Sequence, residues 1–144
     1  MCRLSAYCLP FFFALVFGAC DPEIGGCPDP ALATFSTRDF AFGFPVTIEV
    51  AVINVGGADF VSGPGQQEVQ LYREGVLVAS REFPGDRLNV GASFSLTYEE
   101  LEGNPGDTIR WQGIIVYAPD VFADGNEAND DCNLENNTLE IITF

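Results

Sequence analysis

Between Val46 and Ile53 two sets of side chains alternate strictly: Val46, Ile48, Val50 and Val52 on one, Thr47, Glu49, Ala51 and Ile53 on the other. A period of two puts each set on its own face of an extended strand, whereas a helix would need apolar residues three and four apart. The same alternation returns at Phe94, Leu96 and Tyr98, set against Ser93, Ser95 and Thr97. It returns again at Ile109, Trp111, Gly113, Ile115 and Tyr117, set against Arg110, Gln112, Ile114 and Val116. The last of these becomes apolar on both faces towards its end, which predicts a central strand. Val69 and Leu71 run into Tyr72-Arg73-Glu74-Gly75, after which Val76, Leu77 and Val78 resume, so a hairpin with glycine at its bend is expected. A first strand near Ala31 to Phe35 and a last one through Leu139 and Ile141 bring the count to about seven antiparallel strands. No window long enough for a helix carries helical spacing. The expectation is an all-β, immunoglobulin-like β-sandwich, with Trp111 a core residue and Phe60 and Val61, in the loop 57–67, core rather than contact residues.

The chain opens differently. Arg3 lies in a short polar stretch, the apolar run LPFFFALVF follows from Leu9 to Phe17, and Gly18-Ala19 precede Cys20. That is the layout of a secretory signal peptide, and the run is far shorter than the roughly 20 apolar residues of a membrane-spanning helix. Phe17, Gly18, Ala19 and Cys20 resemble the bacterial lipobox, which is cut just before a cysteine that then carries lipid. Residues 1–19 are then a lipoprotein signal peptide and Cys20 is the lipidated first residue. More than one acyl chain holds such a protein stably, since each buried methylene contributes about 0.8 kcal/mol. The alternative is an ordinary signal-peptidase site with Cys20 free to form a disulfide. The following DPEIGGCPDP, Asp21 to Pro30, is broken by Pro and Gly and reads as a tether, so the expected domain spans 31–144.

Removal of the signal peptide disposes of Cys2 and Cys8, and lipidation uses Cys20, which leaves Cys27 and Cys132. An exported protein favours joining them, against the alternative of two free thiols. Cleavage also removes Arg3 while all 21 acidic residues stay, taking the formal charge from −15 to −16. The chain contains neither lysine nor histidine. Such a surface repels phosphate backbones, which argues against nucleic-acid binding. It suits a protein bathed in concentrated salt, where screening removes the self-repulsion, and equally an ordinary acidic secreted protein.

Three stretches together resemble the CARDB domain, a cell-adhesion-related module found in bacteria: VTIEVAVINVGGADF from Val46 to Phe60, VQLYREGVLVASREFPGDRLNVGASFSLTY from Val69 to Tyr98, and DDCNLENNTLEI ending at Ile141. The resemblance covers nearly all of the chain beyond the signal peptide. It implies an immunoglobulin-like fold and an extracellular setting. Two departures stand out: Leu134 occupies a place often held by Glu, and the segment from Ala118 to Asp131 is longer than the usual connection.

Without histidine, Ser-His-Asp and Cys-His mechanisms are excluded, and without lysine so are Ser-Lys and Schiff-base chemistry. Paired carboxylates remain, but glycosidases of that kind need a cleft that a small sandwich rarely supplies. No enzymatic activity and no cofactor are expected. One oxygen-rich cluster stands out: Asp120, Asp124, Glu127, Asp130, Asp131 and Glu135, interleaved with Asn126, Asn129 and Asn133. Asp120, Asp124, Asp130 and Asp131 are candidate calcium ligands. The spacing is not that of an EF-hand, and Asp and Asn are also the preferred turn formers, so a solvated loop of Asx turns is the competing reading. The functional expectation is a lipid-anchored binding or adhesion module outside the cytoplasm. Its partner would be a protein or glycan of the cell surface, and the lipid would hold it to the membrane. The alternatives are a structural or assembly subunit of an envelope complex and, more remotely, a carboxylate-based hydrolase.

Overall fold

A computed structural model describes residues 26–38, 46–83, 87–100 and 108–143. The signal peptide, the lipobox-like Phe17 to Cys20 and residues 21–25 of the tether lie outside the described residues. Seven strands form: β1 (Pro30–Arg38), β2 (Val46–Asn54), β3 (Gln67–Arg73), β4 (Val76–Glu82), β5 (Ser93–Glu100), β6 (Ile109–Tyr117) and β7 (Thr138–Thr143). They build two antiparallel sheets, one ordered β1-β2-β5 and the other β4-β3-β6-β7. The expected sandwich is thus the observed one, strand for strand, and β6 sits inside its sheet as its two apolar faces predicted.

The alternation becomes burial. Ile48, Val50 and Val52 of β2 are fully buried and face Val69 and Leu71 of β3 and Trp111 and Ile115 of β6 within one core. Burying an aliphatic side chain of this size contributes about 1.5–3 kcal/mol. Trp111 is core as expected, and its indole N–H donates to Thr143 Oγ1 at 3.2 Å, so a buried donor is satisfied. Phe60 is buried too, packed at 5.6 Å from Phe83, whose ring lies 4.9 Å from that of Phe94.

Two irregularities escape a simple period. The β1–β2 register shifts between Leu32 and Thr34, and the β3–β4 register between Leu71 and Tyr72. The predicted hairpin is a two-residue turn with positive φ at both Glu74 (49°) and Gly75 (79°). That is the geometry whose twist matches antiparallel strands, and it explains the glycine. At this end of the sandwich Arg73 Nε of β3 lies 2.9 Å from Glu100 Oε2 of β5, tying one sheet to the other.

The opposite end carries the chain entry. Pro28 and Pro30 are fully buried, so the last residues of the stretch read as a tether belong to the fold. Gly56 makes this packing feasible. A Cβ on Gly56 would stand 2.4 Å from the Cys27 carbonyl oxygen and 2.5 Å from the Asp29 nitrogen, both backbone atoms that cannot swing away. Gly56→Ala is expected to lower stability by about 2–3 kcal/mol, as overpacking against backbone does. Urea unfolding of the two proteins measures it, and an unchanged midpoint would show that the chain entry is not packed in this way.

Candidate functional site

The end of the sandwich that receives the chain entry is assembled around Asn54, the last residue of β2, which is 0 % exposed. Its Oδ1 accepts from the backbone N–H of Asp29 at 3.1 Å and of Gly56 at 3.0 Å. Its Nδ2 donates to the carbonyls of Ala58 at 2.8 Å and Leu88 at 2.9 Å. A carboxamide has two donors and two acceptor sites, and all four are used. Around it Val55 N–H donates to Asp29 O, Gly57 N–H to Cys27 O, and Gly91 N–H to Asn54 O. The entry segment therefore adds backbone pairing to the turn after β2, although it belongs to no strand there.

On its other side the entry segment meets the approach to β7. Cys27 and Cys132 form the expected disulfide, with Cα atoms 6.1 Å apart. Cys132 N–H donates to Pro28 O at 3.2 Å, and Asn136 Nδ2 donates to Asp29 Oδ1 at 2.7 Å. The bridge joins the leads into β1 and β7, which lie in different sheets, at one end of the sandwich. Closing a loop of 105 residues would contribute up to about 4.7 kcal/mol in the chain-entropy model.

Beneath the bridge lies a buried polar knot. Asp131 Oδ2 accepts from Tyr117 Oη and from Asn137 Nδ2, each at 2.7 Å, while its Oδ1 accepts from Asn133 N–H at 2.9 Å. Before the last strand the Asn137 backbone carbonyl accepts from Ile115 N–H, while its side chain serves Asp131.

The acidic loop after β6 folds back onto the loop 57–67. Ala128 O accepts from Val61 N–H, Asn126 Nδ2 donates to Val61 O, and Gln66 Nε2 donates to Asp124 Oδ2. Asn129, fully buried, donates to both Gln66 Oε1 and Asp124 Oδ2. Val121, inside the short 3-10 turn Val121–Ala123, plugs the loop into the protein. The structure does not bring Asp120, Asp124, Asp130 and Asp131 together: among the described residues no three acidic or thiol side chains converge on a point that would suit a metal ion. Asp124 accepts from Asn126 N–H and Asp131 from Asn133 N–H, so each carboxylate closes its own Asx turn. The donating carboxamide of Asn129 holds the Asp124 carboxyl below its ordinary range.

A different pair of acids was not singled out by sequence. Glu68 of β3 and Glu82 of β4 stand opposite each other across the hairpin and line a shallow, open depression of about 180 Å³ with Gln66, Val116 and Ala118. Cross-strand register would have exposed this pairing, but register depends on the bulge at Leu71/Tyr72. Typical small-molecule sites begin near 300 Å³ and enclose most of their ligand, so this depression is a poor substrate cleft.

The polar knot has a pH signature. Burial, the hydrogen bond to Asp131 and the charge of Asp131 all drive the Tyr117 phenol far above its ordinary value of 10. The unfolded chain loses that proton near pH 10 and the folded chain keeps it. Stability contributed by Tyr117 is thus complete below pH 10 and falls above it, with a slope approaching 1.4 kcal/mol per pH unit. Tyr117→Phe is expected to be less stable at pH 7 by about 1–3 kcal/mol, because Asp131 loses a donor. It is also expected to lose less stability than the parent between pH 10 and 11.5; equal alkaline slopes in urea titrations would contradict the assignment.

No protein-family model and no curated protein matches this chain. Solved structures do. The CARDB domain of a Pyrococcus furiosus protein matches in its solution structure with a TM-score of 0.55 and 19% identity over 81% of this chain and 94% of that one. The crystal structure of that domain, in complex with di-metal ions, matches with a TM-score of 0.56 and 20% identity over 81% and 91% of the two chains. A domain named as part of a cell surface protein from Methanosarcina acetivorans matches with a TM-score of 0.56 and 16% identity over 81% and 90%. These neighbours are archaeal. The chain therefore has the fold of the CARDB domains, as the three stretches of sequence suggested.

Proposed function

We propose that this protein is a non-catalytic, lipid-anchored module on the outer side of a membrane that binds a protein or glycan of the cell surface. The observation that carries the reading is the fixing of Cys27 to the sandwich, seven residues after the lipobox-like Cys20. Seven extended residues span at most about 25 Å, so a lipid on Cys20 holds a rigid domain close to the bilayer. A disulfide between leads of the two sheets suits an oxidising compartment. The fold it shares with a domain named as part of a cell surface protein supports the same setting. The lack of histidine and lysine and the open shape of the depression at Glu68 and Glu82 support a role without chemistry.

The intact mass of protein extracted from membranes tests the anchor. The expected mass begins at Cys20, carries acyl chains and gains two hydrogens on reduction. A mass without acyl chains would overturn the anchored reading and return Cys20 to the pool of pairing thiols.

A further inference from the structure

The exposed large hydrophobic residues of the described surface fall at the two ends of the sandwich. Val76, Leu77 and Ile142 lie at the end where β7 finishes. At the other end lie Phe122, stacked on Tyr117 with ring centroids 5.2 Å apart, and Val55, Val90 and Leu134, 55 %, 52 % and 56 % exposed. The last three flank the chain entry. Val55 donates its N–H to Asp29 O. Val90 precedes Gly91, which donates to Asn54. Leu134 lies between Cys132 and Asn136, which donate to Pro28 O and Asp29 Oδ1. None of the three helps to close the core cluster.

We propose that Val55, Val90 and Leu134 form a lipid-docking rim that seats this end of the sandwich on the interface of a zwitterionic bilayer. The proposal rests on the lipid-anchored reading of Cys20. With only residues 21–26 between the lipid and Cys27, the rim is kept within about 25 Å of the headgroups. At that effective concentration weak apolar contacts suffice to settle the domain, as they do for interfacial segments of peripheral proteins. Charge selects the lipid. The same end carries Asp120, Asp124, Glu127 and Glu135, all exposed, while Arg87 faces Asp59 at 3.5 Å and so is offset. An anionic surface is repelled, and salt relieves that repulsion within a Debye length of about 10 Å at 0.1 M. Docking therefore weakens with anionic lipid and recovers with salt.

The test uses the full chain made in a lipidating host and reconstituted into phosphatidylcholine vesicles, with and without brominated acyl chains. Trp111 is buried and serves as an internal reference. Val90→Trp and Leu134→Trp each add a fluorophore at the rim, and Ile142→Trp adds one at the far end; two rim variants guard against misfolding of either. Brominated lipid is expected to halve the added emission of both rim variants and to leave that of Ile142→Trp unchanged. Anionic lipid is expected to reduce the quenching and added salt to restore it. Protein that floats with the vesicles while all three variants stay bright would overturn the rim and leave the anchor standing, with a protein partner the remaining occupant. Protein that does not float and has no acyl mass would overturn the anchor and the rim with it. Quenching that grows with anionic lipid would overturn the choice of a zwitterionic surface.

Discussion

A buried carboxamide ties the chain entry to the turn after β2 and to the segment at Leu88, within the backbone pairing and the disulfide that hold the same residues. Asn54 is reached by residues 25 positions before it and 34 positions after it, and every hydrogen-bonding site it has is occupied. An unpaired buried polar group costs about 1–3 kcal/mol, so the same residue that stabilises the assembled end would oppose any arrangement lacking Asp29 or Leu88. Asparagine suits this role because it offers donors and acceptors together. Gly56 is its necessary companion, since only a residue without a Cβ lets the Cys27–Asp29 backbone lie against the turn. The disulfide then adds a covalent link between two segments that hydrogen bonds already hold.

The two ends of the sandwich are built on different principles. Among the described residues, one carries a tight hairpin and the Arg73–Glu100 pair. The other gathers the entry segment, the loop 57–67, the acidic loop and the approach to β7 into one hydrogen-bonded block. Most of the polar residues that looked chemically capable in the sequence are consumed there as structure. Asp131 receives three donors and Asp124 receives three, which leaves them as organisers of loops rather than as free ligands. A chain this acidic needs such internal donors, because it has almost no cationic side chains with which to neutralise carboxylates.

The strands were legible because each has one face in the core and one outside, and a period of two records that difference directly. Val46 to Asn54 shows this best, with burial alternating along the strand. Trp111 and Phe60 were legible as core by size and neighbourhood. The register shifts at Leu32/Thr34 and Leu71/Tyr72 were not, because an extra residue in one strand leaves no mark on hydrophobicity. Asn54 was readable as a turn former but not as a hub, since its partners lie far away along the chain. The acids from Asp120 to Glu135 misled as ligands for a related reason: Asp and Asn serve Asx turns and cation sites equally well, and only the path of the backbone separates the two. Pro28 and Pro30 were read as tether because prolines break regular structure, and nothing local announces that they are buried.

The entry segment belongs to the fold, held to the turn after β2 by Asn54 and by backbone pairing. Native-state amide hydrogen exchange tests it most directly, read at Asp29, Val55 and Gly57 and compared with Val50 and Leu71 in the core strands. The three amides are expected to exchange only through global unfolding, with the same opening free energy as the core. Exchange at rates typical of a fraying terminus would contradict it, and residues 27–29 would then lie outside the cooperative fold.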